Sequence, residues 1–243
     1  MKLTTITSGA GPVRVGLVHG LGADAATWGP LVERMTATGL YTVTAVNLRG
    51  HGTSPRASSY GVDEMANDLV ETLPVGLHSV VGHSLGGSVL VRAIARLAPE
   101  RAVYLDPGFG LPLPTSGVAG SLFWLAPLVS LGVAQLAQAR ASASARAAYT
   151  PQTRALLDDA KKKFDSSMAI GVFKDVAFHP VGVAAPDVPS TIVLSDQSSA
   201  VVPDALASRL KEQGWRVRRI PGVQHDMQLE DPDRTFGAIA DVL

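Results

Sequence analysis

The chain alternates between two hydropathy periods. Short β-branched runs predict strands: VRVGLV (Val13–Val18), YTVTAV (Tyr41–Val46), HSVV (His78–Val81), RAVYL (Arg101–Leu105), TIVL (Thr191–Leu194) and WRVRRI (Trp215–Ile220). Most are bounded by Gly, Pro, Asp or Asn. Between them, apolar positions at helical spacing predict helices near Trp28–Thr38, Val62–Leu73, Leu85–Leu97, Pro203–Gln213 and Pro232–Leu243. Pro203 and Pro232 suit a first helical turn, where the missing N–H costs nothing. Strand and helix in alternation predict an α/β fold, a mainly parallel twisted sheet with helices on both faces. The segment LTTIT near the start adds an antiparallel edge strand.

The alternation lapses between Pro107 and Pro189. That stretch opens PGFGLPLP, runs Ala-rich and helical from about Ser116 to Phe178, and closes HPVGVAAPDVP. The expected organisation is a core of residues 1–106 and 190–243, interrupted by a mostly helical insertion over 107–189. The biased run QLAQARASASARAAY favours helix through its alanines.

Composition narrows the chemistry. The 243 residues are 46% apolar, enough to bury one sizeable core. Lys plus Arg balances Asp plus Glu at 21 each, which implies neither a nucleic-acid face nor an acidic tail. No cysteine is present, so disulfides, zinc–thiolate sites and a cysteine nucleophile are excluded. The start, MKLTTITSGAG, has no apolar h-region, and the longest apolar stretch, GSLFWLAPLVSLGVAQLAQA, is broken by Pro127. The expectation is a cytoplasmic protein without a membrane span.

Chemistry concentrates in four loops. GHSLG (Gly82–Gly86) fits G-x-S-x-G, with a predicted strand before it and a helix after it. Such a turn forces Ser84 toward strained angles, leaves room only for small residues two places either side, and aims helix-start N–H groups at the serine. Gly82 and Gly86 fill those places, and Gly87 lets the helix pack closely. LVHGLGADAATW offers a second donor loop, His19-Gly20-Leu21-Gly22, and the N–H groups of Leu21 and Leu85 are the expected oxyanion donors. His19 reads as a histidine bonding loop backbone, and His51 in NLRGHGTSPR also reads as structural. His225, in IPGVQHDMQLEDPDRTF, follows the last strand on the side where open α/β sheets place their sites, and is the expected base.

Together HGLG, LRGHGTS, GHSLG and PGVQHD, in that order, resemble the α/β-hydrolase superfamily from about Val13 to Leu243, least so in the insertion. The resemblance implies a cofactor-free Ser-His-acid hydrolase whose insertion caps the pocket. In most of that family the acid follows the strand after the cap. Here the region reads TIVLSDQSSAVVPDAL, and the acid's place falls on Ser199 or, shifted by one, on Ala200. Asp196 lies about three residues early. Some members carry the acid one strand earlier, as in pancreatic-type lipases, with a shape similar to the LDP here; this points to Asp106. Adjacent parallel strand ends are only ~4.8 Å apart, so either carboxylate could reach one imidazole. Asp106 is preferred over Asp196, and over a chain with no working acid. Asp226 diverges from the adjacent His225, while Asp231 and Asp233 suit a helix start.

The insertion contributes Phe109, Leu111, Leu113, Phe123, Trp124, Leu125, Tyr149, Phe164, Phe173 and Phe178, which suits a hydrophobic acyl or alcohol group. Lys161, Lys162 and Lys163 read as a solvated helix face. The expected activity is hydrolysis of a small hydrophobic carboxylic ester, lactone or thioester through an acyl-enzyme on Ser84. Alternatives are C–C bond hydrolysis or cofactor-free peroxidase chemistry on the same residues, or ligand binding on a hydrolase scaffold. Epoxide hydrolase and dehalogenase chemistry are disfavoured, since their nucleophile is normally Asp where this chain has Ser84.

Overall fold

The computed structural model describes residues 1–110, 113–125, 147, 149–182, 184–196 and 201–243. Strands β1 (Thr5–Ser8), β2 (Val13–Val18), β3 (Tyr41–Val46), β4 (Ser79–His83), β5 (Arg101–Leu105), β6 (Ser190–Leu194) and β7 (Arg216–Arg219) form one sheet in the order β1-β3-β2-β4-β5-β6-β7. The edge strand β1 is antiparallel to β3, and the remaining pairings are parallel. Each parallel pairing needs a long crossover, which the intervening helices supply. Around it lie α1 (Gly29–Ala37), α2 (Val62–Thr72), α3 (Leu85–Leu97), α4 (Gly117–Leu125), α5 (Pro151–Lys162), α6 (Met168–Phe178), α7 (Asp204–Glu212), α8 (Met227–Glu230) and α9 (Pro232–Ile239).

Successive strand residues point to opposite faces, and the core divides accordingly. Val80 joins Leu69, Leu90, Leu97 and Tyr104 on the face covered by α2 and α3. Val81 joins Trp28, Leu31, Met35, Val103 and Ile239 on the face covered by α1 and α9. Among the described residues no helix is long and apolar enough to cross a membrane.

The insertion, expected to be mostly helical, lies partly outside the described residues, which leave out all of QLAQARASASARAAY but Ala147 and Tyr149. Its described residues give α4, α5 and α6, with α5 and α6 separated by a turn at Asp165. The Asp165 carboxylate accepts from the Ser167 N–H and hydroxyl and from the Tyr60 hydroxyl, and its N–H donates to Gly50 O at 2.8 Å. Local side-chain acceptors of this kind compete with helical bonding. The inner face of α6, Met168, Val172 and Val176, joins the apolar cluster of α2 and α3. Asp175 on α6 also accepts from the Val62 N–H at the start of α2 (2.9 Å) and from Arg92 of α3 (3.0 Å). One departure from the sequence pattern is α8, a single turn in the segment expected as loop, formed where the Leu229 and Glu230 N–H groups bond Asp226 O.

The loop after β3 is anchored by a buried ion pair. Arg49 grips both carboxylate oxygens of Asp68 on α2, Nε to Oδ2 at 2.6 Å and Nη2 to Oδ1 at 2.8 Å. Its other donors reach Ser59 O and Glu64 O. The Asp68 side chain is 1% exposed and that of Arg49 10%, so the Arg49 charge depends on Asp68 for compensation, while Asp68 also pairs with the N-terminal ammonium of Met1. Asp68→Asn is expected to leave Arg49 uncompensated and to lower the unfolding free energy by about 3 kcal/mol. A fall in the urea midpoint at unchanged slope measures it.

Candidate active site

Parallel register sets four chain segments side by side at the C-terminal edge of the sheet. Val18 pairs with Gly82, His83 with Leu105, and Leu105 with Val193. The residues just past those strand ends are therefore His19, Ser84, Asp106 and Ser195. The strand order reverses between β2 and β4, the position where such sheets open a crevice for ligands.

Ser84 lies between β4 and α3 with φ 50° and ψ −118°, left-handed backbone that a side-chain-bearing residue rarely adopts. The flanking glycines make the turn possible. A Cβ on Gly86 would stand 2.2 Å from Val18 O, and one on Gly82 would stand 2.6 Å from Gly86 O. A Cβ on Gly87 would meet Pro107 Cβ at 2.6 Å. Ser84 is bound on both sides, its N–H donating to Leu105 O at 3.0 Å and its carbonyl accepting from the Gly87 and Gly108 N–H groups. Leu85 is the first residue of α3, so its N–H has no carbonyl within its own helix to bond.

The loop His19–Gly22 packs directly on this turn, with the Cβ position of Gly20 only 3.0 Å from Ser84 Cβ. Two buried histidines hold it there. His19 Nε2 accepts from the Leu48 N–H at 3.0 Å, which leaves the proton on Nδ1 to donate to Gly20 O at 2.8 Å. His51 Nε2 accepts from the Gly22 N–H at 3.1 Å, and its Nδ1–H donates to Arg49 O at 3.0 Å. Each ring is thus fixed as one neutral tautomer. Burial, reinforced by neighbouring His51, pushes the His19 pKa well below its usual value, and burial pushes that of His51 down to about 4. Asn47 adds a further brace, its Oδ1 accepting from the Ala25 N–H at 2.7 Å. Among the described residues the Leu21 N–H enters none of these bonds.

His225, in the loop after β7, points Nδ1 at Asp106 Oδ2 at 3.2 Å. With its proton on Nδ1, the ring keeps Nε2 as an acceptor. Asp106 has no exposed surface, and with φ 37° it is the second non-glycine residue in left-handed backbone at this edge. Burial disfavours charge on His225; the Asp106 hydrogen bond and the charges of Asp226 and Asp106 outweigh that, and its pKa lies above the usual 6.5. Asp196 serves a different purpose: it is exposed, and its Oδ2 accepts from the Gly222 N–H, closing the turn before His225. Ser199 and Ala200 lie outside the described residues. Asp231 accepts from the Arg234 N–H at the start of α9.

Three contributors were not expected from sequence. Ser195 donates its N–H to Asp106 Oδ1 at 2.8 Å and its hydroxyl to Asp106 Oδ2. Its signal was the alignment of neighbouring strand ends, which places it beside Asp106. His83, the first of the two variable residues of GHSLG, donates from Nε2 to His225 O at 3.0 Å, and its ring centroid stands 4.9 Å from that of His225. The third is Gln228 on α8, whose Nε2 lies 3.4 Å from His83 Nδ1. Burial, then the neighbouring His225, lowers the His83 pKa, so His83 acts as a neutral tether between the elbow and the histidine loop. No pattern of hydropathy marks either residue.

Comparison with known proteins agrees with this architecture. The profile described as "Alpha/beta hydrolase family" matches residues 17–238. The pimeloyl-[acyl-carrier protein] methyl ester esterase of Methylococcus capsulatus is 37% identical over 112 residues, 46% of this chain and 42% of that protein. The enzyme of the same name from Nitrosomonas europaea is 36% identical over 99 residues, 41% of this chain and 37% of that protein. The matched region thus spans less than half the length of these curated relatives. Among solved structures, a lipase-esterase related protein from Clostridium acetobutylicum superposes with a TM-score of 0.77 at 13% identity, covering 100% of both chains. A structure described as an N-acyl homoserine lactone degrading enzyme gives 0.70 at 20% identity, covering 99% of this chain and 96% of that one. At such identities the likeness is one of fold. The family profile, in contrast, runs from inside β2, through the Ser84 turn and the His225 loop, to within a few residues of the last leucine, and by that extent the chain belongs to the alpha/beta hydrolase family.

Proposed function

We propose that the protein is a serine hydrolase of carboxylic esters, with lactones and thioesters in the same class. The observation that carries this reading is the contact of His225 Nδ1 with the buried Asp106, beside a serine held at positive φ on a helix start. Ser84 Oγ attacks the carbonyl carbon while His225 Nε2 takes the hydroxyl proton. Asp106 keeps the imidazole in the required tautomer and stabilises its charged form. The N–H groups of Leu21 and Leu85 receive the developing oxyanion; such a donor is worth about 3–4 kcal/mol. His225 then passes its proton to the departing alcohol, leaving an acyl-Ser84. Water, deprotonated by the same nitrogen, attacks the acyl carbon; the acid leaves and Ser84 recovers its proton.

Residues 107–189 serve in this reading as a cap over the pocket. Support comes from α6, which packs on the core through Met168, Val172 and Val176, and from Phe164, whose ring lies 5.0 Å from His51 of the brace. The ester class also draws on the methyl ester esterases among the relatives. The apolar composition of the segment suits a hydrophobic acyl or alcohol group rather than a sugar or phosphate.

A fluorophosphonate probe followed by peptide mass mapping is expected to label Ser84, and Ser84→Ala to abolish both labelling and hydrolysis of short-chain nitrophenyl esters. Ester turnover that survives Ser84→Ala would sink the proposal. Asp106→Asn is expected to cost about 10⁴ in kcat, because it removes the charge that favours imidazolium. Asp196→Asn, which alters only a turn, should change kcat little; the reverse ranking in steady-state assays would reassign the acid. Because His225 must be neutral to act as base and its pKa is raised, kcat/KM should climb with pH along an acidic limb centred above 6.5. A pH–rate profile at constant ionic strength checks this.

A further inference from the structure

Among the described residues the Asp106 carboxylate is held by one residue besides His225. Ser195, the first residue past β6, is fully buried, and it donates twice to the same carboxylate. Its N–H binds Oδ1 at 2.8 Å, and its hydroxyl binds Oδ2, the oxygen that also receives the His225 Nδ1–H. The Asp106 N–H in turn donates to Val193 O at 2.9 Å, so backbone and side chain of Asp106 are both tied to the end of β6. Ser195 is itself anchored, its carbonyl accepting from Arg219 Nη1 of β7 at 2.8 Å. The three bonds to the carboxylate fix its plane and its facing. A buried carboxylate without such donors would tend to take up a proton or turn away.

We propose that Ser195 is the positioning residue of the Asp106–His225 pair: its hydroxyl orients the carboxylate and, by sharing Oδ2, sets how strongly that oxygen pulls on the histidine. The proposal rests on the hydrolase reading for its catalytic consequence, though not for the hydrogen bonds themselves. Two consequences separate it from a packing role. Removing the hydroxyl takes away a donor that shares Oδ2 with His225, which strengthens the attraction for the imidazolium and moves its titration upward. It also frees the carboxylate to rotate about the one remaining Ser195 bond, at Oδ1, which lowers the fraction of molecules in the productive geometry. Among the described residues the charged and titratable groups around His225 are Asp106, Asp226 and His83; a change at Ser195 acts through Asp106 and leaves Asp226 and His83 as they are.

The test compares wild type, Ser195→Thr, Ser195→Cys and Ser195→Ala for kcat, KM, the acidic limb of kcat/KM and the downfield proton resonance of His225 Nδ1–H. Thermal unfolding confirms that each variant is folded. Ser195→Ala is expected to lower kcat about five- to tenfold at unchanged KM. It should also raise the acidic limb by about half a pH unit and displace the downfield resonance. Ser195→Thr, which keeps the hydroxyl, should restore all three; Ser195→Cys, a weaker donor, should fall between. A Ser195→Ala protein with wild-type limb and resonance, or a folded Ser195→Thr no better than Ser195→Ala, overturns the proposal. Should the wild type cleave no ester and take no fluorophosphonate, the hydrolase reading falls. The resonance series then decides Ser195 by the same criteria, since it reads the hydrogen bond without substrate.

Discussion

Backbone approaches backbone at the turn between β4 and α3 more closely than any side chain would permit, and the rest of the edge is arranged around that approach. A methyl group on Gly86 would stand 2.2 Å from Val18 O, inside the first atomic shell of β2. The turn can therefore sit where it does only if β2, β4 and the start of α3 keep their mutual register. That register is held by an unbroken parallel ladder from β3 to β7. Strain at Ser84 is balanced by its hydrogen bonds to Leu105, Gly87 and Gly108 and by the burial of nearly the whole α3 face.

From that constraint the electrostatics follow. Four of the six histidines lie around this turn, and the three besides His225 are neutral braces. His19 and His51 spend both ring nitrogens on backbone, binding the loop after β2 to the loop after β3. His83 binds the turn to the His225 loop. Burial keeps all three uncharged, so they add rigidity without placing a competing positive charge beside the serine. His225 alone among them meets a carboxylate, and its pKa moves the other way. The same imidazole group thus holds shape in three places and is free to exchange a proton in one, and the difference lies in its partners.

Much of this was legible in the sequence because its signals are local. The strand runs and the Leu85–Leu97 helix are set by period, and the structure gives α3 the same ends. Gly82 and Gly86 are demanded by the turn itself, and the structural reading of His19 and His51 rests on their place in polar, glycine-rich loops. Within the insertion the turn at Asp165 was not legible, because its carboxylate and N–H bind Tyr60, Ser167 and Gly50, partners in part far along the chain. Likewise α8 escaped the pattern, since one turn carries too few residues to show a period.

The sequence by itself determined the alternation of strand and helix, the strained serine between glycines, and the order in which serine, carboxylates and histidine come along the chain. It left open which carboxylate meets the histidine, because Asp106 and Asp196 follow neighbouring strands and both are plausible by distance along the chain. Tertiary structure decided that, through the register of β5 against β6. Asp106 emerges at the buried centre of the sheet edge and faces His225, while Asp196 emerges past Ser195 at the surface and closes the turn at Gly222. The partnership of Ser195 with Asp106, and of His83 with His225, joins residues 89 and 142 positions apart. Such contacts exist only once the sheet has assembled, because hydropathy period and motif spacing describe neighbours in the chain and not neighbours across strands.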